Sequence, residues 1–240
     1  MECIILAAGK SSRFNGNKLL EKFNGKTLLE YALLFCILND IKKVNITISE
    51  CDLYYKDTTK GIHPVLDAAN IINYKSLLDI KIKSQDPTKY GPAGAMMPWI
   101  NEIKDDFIVL LGDNFINGKI VETIKPRMKP HTSIIGYIEK PEDEDNLRLG
   151  FINSETKKVK EKPHGQKSGK YFVGFCAFSN DTLKNLKNLK PSERGEYEIT
   201  DLMNSNDNVE LFDISTIDWK DITFSNEIAE MEKYIKHALG

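Results

Sequence analysis

The feature that most constrains this chain is its first eighteen residues. An apolar run, Ile4 to Ala8, breaks at Gly9 into a polar loop carrying Lys10, Ser11, Ser12, Arg13 and Lys18. An unbroken apolar run so short reads as a strand buried on both faces of a parallel sheet, and the loop after it reads as an anion-binding turn. Small residues at Ala7, Ala8 and Gly9 permit close approach of a base or phosphate, and successive free N–H groups there can form a concave anion nest. Arg13 and Lys18 supply positive charge.

The letters G-K-S-S at Gly9 to Ser12 invite a P-loop reading, but that pattern needs a glycine five residues before Gly9. Ile4 stands there, in mid-strand, and the P-loop is rejected. A formal net charge of −2 rules out the global basic field of a nucleic-acid binder, so any phosphate recognition is local. Cys3, Cys36, Cys51 and Cys176 lack C-x-x-C spacing and read as reduced structural thiols. No basic n-region opens the chain, and no apolar stretch reaches the roughly 20 residues of a membrane span. The expectation is a soluble, cytoplasmic protein with no nucleic-acid or membrane partner.

Along the chain, Thr27 is placed to cap a helix from Leu28 through Leu38 that stops at Asn39-Asp40. Val44 to Ser49 reads as a strand, then a charged turn, a helix over Pro64 to Lys75, and a strand over Leu78 to Lys83. Alternating strands and helices imply a parallel sheet covered on both faces. Ligands of such sheets bind beyond the carboxyl ends of the strands, which directs attention to the loops that follow them. The loop Ser84 to Ala95 holds Gln85, whose amide both donates and accepts, and Gly91, Ala93, Gly94 and Ala95, which allow close approach. Phe107 to Leu111 reads as a central strand ending in Gly112-Asp113-Asn114, where a carboxylate suits a hard cation. Thr132 to Ile138 is a further strand, and Glu139 to Asn146 an acidic loop.

From Leu147 the pattern turns to short β stretches, and Glu161-Lys162-Pro163 pairs an acceptor for hydroxyls with a cation for phosphate. Asp181 is read as the cap of a helix Thr182 to Lys190. Val209 to Ile214 reads as a strand, and about Ser225 to Leu239 as a helix. His63, His131, His164 and His237 share no metal-ligand spacing.

Taken in order, L-A-A-G-K-S-S-R-F with Lys18, Q-x5-G-P-A-G-A, L-L-G-D-N, V-K-E-K-P with Y-F-V-G-F behind it, R-G-E-Y-E-I-T-D and W-K-D-I-T span Leu6 to Thr223. The ordered set resembles the sugar-1-phosphate nucleotidyltransferases, most closely the glucose-1-phosphate thymidylyltransferase type. The resemblance implies one α/β domain over 1–240: a Rossmann-like, mainly parallel sheet flanked by helices, with a nucleotide-binding half over about 1–138 and a β-rich sugar-binding portion from about 139 onward. It implies transfer of a nucleotidyl group from a nucleoside triphosphate, dTTP or UTP favoured, to a sugar 1-phosphate, with Mg²⁺ as cofactor and a homo-oligomer as a family-level expectation. Nucleotide-binding residues would be Leu6, Ala7, Ala8, Gly9, Lys10, Arg13, Gln85 and Gly91. Arg13, Lys18, Asp113 and Lys162 would carry the reaction. Gly150, Glu161, Lys162, Gly174 and Arg194 would hold the sugar phosphate, with Asp113 and Asp221 on the metal.

The sequence departs from that pattern twice. The first loop is several residues shorter than the thymidylyltransferase form and is closer to the compact loop of the molybdenum-cofactor and isoprenoid-pathway nucleotidyltransferases. The last motif runs from Asp221 straight into Ile222-Thr223 without the usual glycine. Two other readings therefore stay open: cytidylyl transfer to a sugar phosphate or to a non-sugar phosphate such as phosphocholine, and a catalytically silent regulator that binds nucleotide sugar.

Overall fold

The computed structural model describes residues 1–49, 63–140, 149–162 and 168–240. Strand β1 (Glu2–Ala7) is followed by the small hairpin β2 (Lys22–Phe23) and β3 (Lys26–Thr27), helix α1 (Leu28–Leu38) and strand β4 (Lys43–Ser49). Then come α2 (Pro64–Ala68), α3 (Ile71–Tyr74), β5 (Asp79–Gln85), α4 (Pro92–Met96), β6 (Phe107–Leu111), β7 (Asn114–Asn117), α5 (Val121–Ile124) and β8 (Thr132–Lys140). The remainder holds β9 (Gly150–Ile152), β10 (Val159–Lys160), β11 (Gly169–Phe178), α6 (Ile199–Asn204), β12 (Asn208–Asp213), β13 (Asp218–Asp221) and α7 (Ile228–Leu239).

The main sheet runs β10-β9-β11-β6-β1-β4-β5, with β8 alongside β11 and β12 beside β8. Strands β5, β4, β1 and β6 are parallel neighbours, and β11 joins β6 antiparallel. From β1 the chain builds outward to β4 and β5, then returns to lay β6 on the other side of β1. That reversal makes the crevice beyond the ends of β1 and β6 the natural ligand site of this sheet. One face is packed by α1 and its neighbours, the other by α4, Trp99 and α6. A third cluster joins α7 to Phe14, Phe23 and Phe115 and braces the first loop from outside the sheet.

Helix α1 begins where expected. Glu30 N–H donates to Thr27 Oγ1 at 3.2 Å and Thr27 N–H donates to Glu30 Oε2 at 2.9 Å, a reciprocal capping box. It ends as Asp40 turns left-handed at φ 54°, while the Asn39 side chain accepts from Ile120 and Val121 N–H and so ties the helix to α5. Cys3, Cys36 and Cys176 are free thiols in the core, and burial pushes those of Cys3 and Cys176 up. Cys51 and the expected charged turn lie outside the described residues, as does the acidic loop beyond Lys140; Glu139 and Lys140 themselves belong to β8.

Three sequence expectations change in detail. The helix read over Pro64 to Lys75 is broken, because Asn70 is left-handed at φ 46° and turns its amide to the buried carboxylate of Glu30 at 3.3 Å. A tertiary hydrogen bond outweighs local helix propensity there. The helix read over Thr182 to Lys190 is a 3₁₀ run, Asn180–Asn188, with Ser179 at its N-cap position. Asp181 instead accepts from His131 N–H at 3.1 Å and from Ser179 Oγ, fastening the turn before β8 to the end of β11. The C-terminal helix starts with a 3₁₀ turn, Ser225–Glu227, before α7.

Candidate active site

The loop after β1 curls back on itself at Ser11, whose φ is 50° and whose carbonyl accepts from Phe14 N–H at 2.9 Å. Phe14 is buried in the α7 cluster, so the loop is anchored from behind and presents Arg13 forward. A cleft of about 220 Å³ opens beside it, lined by Leu6, Ala8, Gly9, Lys10, Arg13, Lys18, Gln85, Gly91 and Asp113. Of the expected nucleotide residues only Ala7 turns away, into the α1 face of the core. Ser11 Oγ is buried at this cleft with no hydrogen-bond partner among the described residues, which marks it as a donor or acceptor for a bound group.

The far wall is built by the loop between β5 and α4. Gln85 is buried and its Nε2 donates to the carbonyls of Lys89, at 2.8 Å, and Gly91, at 2.9 Å. Its amide nitrogen therefore shapes the loop, and Oε1 is the atom left for recognition. Gly91 has φ 116°, and a Cβ there would stand 2.6 Å from the backbone N and O of Tyr197. Those two atoms are in use, since Tyr197 N–H donates to Tyr90 O at 2.8 Å and Ala93 N–H donates to Tyr197 O at 2.9 Å. Beneath the loop, Trp99 Nε1 donates to Thr47 Oγ1 at 2.8 Å and that hydroxyl donates to Ala95 O at 2.7 Å. Lys10 Nζ lies 4.1 Å from the centre of the Tyr90 ring, a cation–π contact across the mouth. Burial pushes the Tyr90 phenol up, and the charge of Glu196 adds to the shift.

A second cleft of about 200 Å³ adjoins the first and shares Arg13, Lys18, Asp113 and Glu196 with it. Its remaining walls include Gly150, Glu161, Lys162, Gly174, Glu198 and Asp221, so the residues expected for the sugar phosphate gather here, apart from Arg194. Gly174 explains the shape. At φ 73° it sits in a bulge where β11 changes partner, from β9 at Lys170–Phe172 to β6 at Phe175–Phe178. A Cβ there would run into the Asn114 side chain and reach 2.7 Å from Leu111 Cδ1. Lys162 Nζ stands 3.5 Å from Glu161 Oε1.

The two aspartates are brought together by a strand pair that local sequence does not announce. β13 pairs antiparallel with β7, and Asp221 faces Asn114, the residue after Asp113. Asn114 is pinned in turn by donating to Val173 O at 3.1 Å. Lys18 Nζ forms an ion pair with Asp113 and donates to the carbonyl of Ile222, the residue after Asp221, at 3.1 Å. The ammonium thus bridges the ends of the two aspartate-bearing segments. Among the described residues no cluster of three or more His, Cys, Asp or Glu is arranged for a metal. Asp113 and Asp221 both line the second cleft, and two carboxylates there would suit Mg²⁺, which keeps waters and takes phosphate oxygens rather than a full protein cage.

Arg194 is placed differently. Its guanidinium contacts Glu196 at 2.9 Å, Glu198 at 3.3 Å and Glu161 at 3.6 Å, and it lines neither cleft. Sequence reading missed Ser11, Asn114, Glu196 and Glu198 as site residues, although Glu196 and Glu198 stand within the R-G-E-Y-E-I-T-D motif.

The geometry can be set beside known proteins. The family model for nucleotidyl transferases matches residues 2–237. The chain belongs to the nucleotidyl transferase family. Among curated relatives, the bifunctional protein GlmU of Methanococcus maripaludis is 27% identical over 213 residues, 85% of this chain and 46% of that one. The UTP–glucose-1-phosphate uridylyltransferase AglF of Haloferax volcanii is 24% identical over 214 residues, covering 84% of this chain and 81% of its own length. The chain thus spans about half the length of the GlmU relatives and most of AglF. Among solved structures, a protein of Bacillus anthracis described as a glucose-1-phosphate thymidylyltransferase, in complex with a sucrose, superposes with a TM-score of 0.78 at 22% identity. That match covers 97% of this chain and 94% of the other, so the family fold extends through the whole chain.

Proposed function

We propose that this chain joins a nucleoside triphosphate, dTTP or UTP by preference, to a sugar 1-phosphate, releasing pyrophosphate and a nucleotide sugar. The observation that carries the reading is the pair of adjoining clefts with Arg13, Lys18 and Asp113 in their common wall. The first cleft takes the nucleotide, its base against Gly91 and the Gln85 carbonyl oxygen, and the second takes the sugar phosphate against Glu161 and Lys162.

The chemistry follows from charge. An acceptor phosphate oxygen forms a bond to the α-phosphorus while the bond from that phosphorus to the pyrophosphate oxygen breaks, in line. The attacking oxygen is already anionic, so no general base is needed. The barrier lies in bringing two polyanions together: unit charges about 4 Å apart interact by roughly 4 kcal/mol at an effective dielectric of 20. Arg13 and Lys18 stand where both substrates meet, and Lys162 stands on the acceptor side, so positioning and neutralisation come from one set of side chains. Asp113 and Asp221 would hold Mg²⁺, which supplies further neutralisation of the transferring phosphorus.

The test is pyrophosphate release with Mg²⁺, crossing dTTP, UTP, CTP, ATP and GTP against sugar 1-phosphates and phosphocholine. Turnover with a pyrimidine triphosphate and a sugar 1-phosphate is expected. Turnover with phosphocholine alone would overturn the acceptor assignment, and nucleotide binding without any turnover would overturn the enzyme reading.

A further inference from the structure

Tyr90 lines the nucleotide cleft from the loop between β5 and α4, and its backbone is held at three consecutive carbonyls. Gln85 Nε2 donates to Lys89 O at 2.8 Å and to Gly91 O at 2.9 Å, and Tyr197 N–H donates to Tyr90 O at 2.8 Å. The aromatic ring therefore projects from a fixed point, one residue from Gly91.

On the opposite side stands Lys10, the residue after Gly9 in the first loop. Lys10 is exposed, and its Nζ lies 4.1 Å from the centre of the Tyr90 ring. Because Lys10 lines the same cleft, the ring face under its ammonium opens to that cleft and not to the packed interior. Room for a cation over that face is room for another group in the same place. The magnitudes favour an exchange. A cation over an exposed ring shifts an equilibrium by roughly 5-fold or less. A base stacked on an aromatic ring is worth roughly 10-fold. An ammonium that leaves the ring for a phosphate oxygen gains a charge-assisted hydrogen bond, the stronger contact for a cation.

We propose that Tyr90 is the stacking residue for the nucleobase, and that Lys10 covers its ring only until a nucleoside triphosphate binds, when the ammonium moves to the phosphates and the base takes the uncovered face. The inference rests on the reading that this cleft takes the nucleotide, with the base beside Gln85 and Gly91. It adds a contact on the flat face of the base to the contacts at its edge, and a third cation to Arg13 and Lys18 on the phosphates.

Isothermal titration calorimetry in Mg²⁺ with two probes, UTP and inorganic triphosphate, separates base from phosphate; dTTP replaces UTP if it is the triphosphate that turns over. Tyr90→Leu is expected to bind UTP about 10-fold more weakly, through loss of stacking. The same variant is expected to bind inorganic triphosphate about 2- to 5-fold more tightly, because the ammonium no longer has to leave a ring. Lys10→Ala is expected to bind inorganic triphosphate about 5-fold or more weakly. Tyr90→Phe keeps the ring and is expected to stay within about 3-fold of wild type for both probes. Undiminished UTP binding by Tyr90→Leu would make the ring a mere cover of the cleft, and an equal loss of both probes would make it a support of the loop; either overturns the proposal. Tyr90→Phe as weak as Tyr90→Leu transfers the contact to the hydroxyl and overturns it too, and unchanged triphosphate binding by Lys10→Ala overturns the exchange. Thermal unfolding checks that each variant is folded, and Tyr90→Met replaces Tyr90→Leu if the leucine variant is not. Wild-type protein that binds inorganic triphosphate but no nucleoside triphosphate would sink the reading of the cleft itself, a result distinct from UTP binding that Tyr90→Leu leaves intact.

Discussion

Replacing Lys18 by methionine should have two effects of opposite sign. The ammonium is ion-paired with Asp113 and donates to Ile222 O, with side-chain exposures of 15% for Lys18 and 29% for Asp113. In the free protein it is the counter-charge of a candidate metal ligand. At close range and an effective dielectric of 20 the attraction is roughly 4 kcal/mol, but partial exposure and the cost of fixing a lysine side chain reduce the net to about 1.4 kcal/mol. That figure corresponds to about 10-fold in an equilibrium constant. Lys18→Met should therefore bind Mn²⁺ about 10-fold more tightly than wild type without nucleotide, read by electron paramagnetic resonance of free Mn²⁺. The same variant should release pyrophosphate roughly 10²-fold more slowly, because the phosphates lose a cation. Lys162→Met removes an equal charge from the same cleft, but Lys162 stands against Glu161 rather than Asp113, and its loss should tighten Mn²⁺ far less. Unchanged or weaker Mn²⁺ binding by Lys18→Met would refute the competition between ammonium and metal.

Three other substitutions probe the metal ligand and the packing beneath the nucleotide cleft. Asp113→Asn should fold with a near wild-type melting temperature yet lose roughly 10²-fold in kcat, and a near-normal rate at saturating Mg²⁺ would exclude Asp113 from charge stabilisation. Gly91→Ala should cost at least about 2 kcal/mol in urea unfolding and raise the nucleotide KM, because the new Cβ meets the Tyr197 backbone and the left-handed φ is strained; a loss below about 0.5 kcal/mol would contradict that packing. Thr47→Val should cost about 1 to 3 kcal/mol by leaving the buried Trp99 N–H without its acceptor, and an unchanged urea midpoint would show that the indole finds another.

Much of the fold was legible because its signals are local. The apolar run before Gly9, the Thr27–Glu30 capping box and the Pro/Gly loop after Gln85 each lie within a few residues, where steric and hydrogen-bonding preferences act directly. Those preferences, with the alternation of strands and helices, placed the first loop and Asp113 beyond the ends of β1 and β6, and the structure brings them to the same crevice. The ordered motifs also brought Glu161, Lys162 and Gly174 into one neighbourhood.

What sequence alone could not decide depends on partners distant along the chain. Asp221 comes to the cleft that Asp113 lines because β13 pairs with β7, two short strands distant along the chain whose register no local pattern encodes. Asn70 breaks a helix because it meets Glu30, and Gly174 bulges where β11 changes partners. The same holds for charge. Arg194 is expected from the resemblance to hold the sugar phosphate, and only the structure shows the three carboxylates, Glu161, Glu196 and Glu198, that stand within 3.6 Å of it. Residue types and their order thus determined the family and the chemistry on offer. The direction each charge faces was left to tertiary structure, since an ionic contact is set by distance in space and burial, neither of which a linear spacing contains.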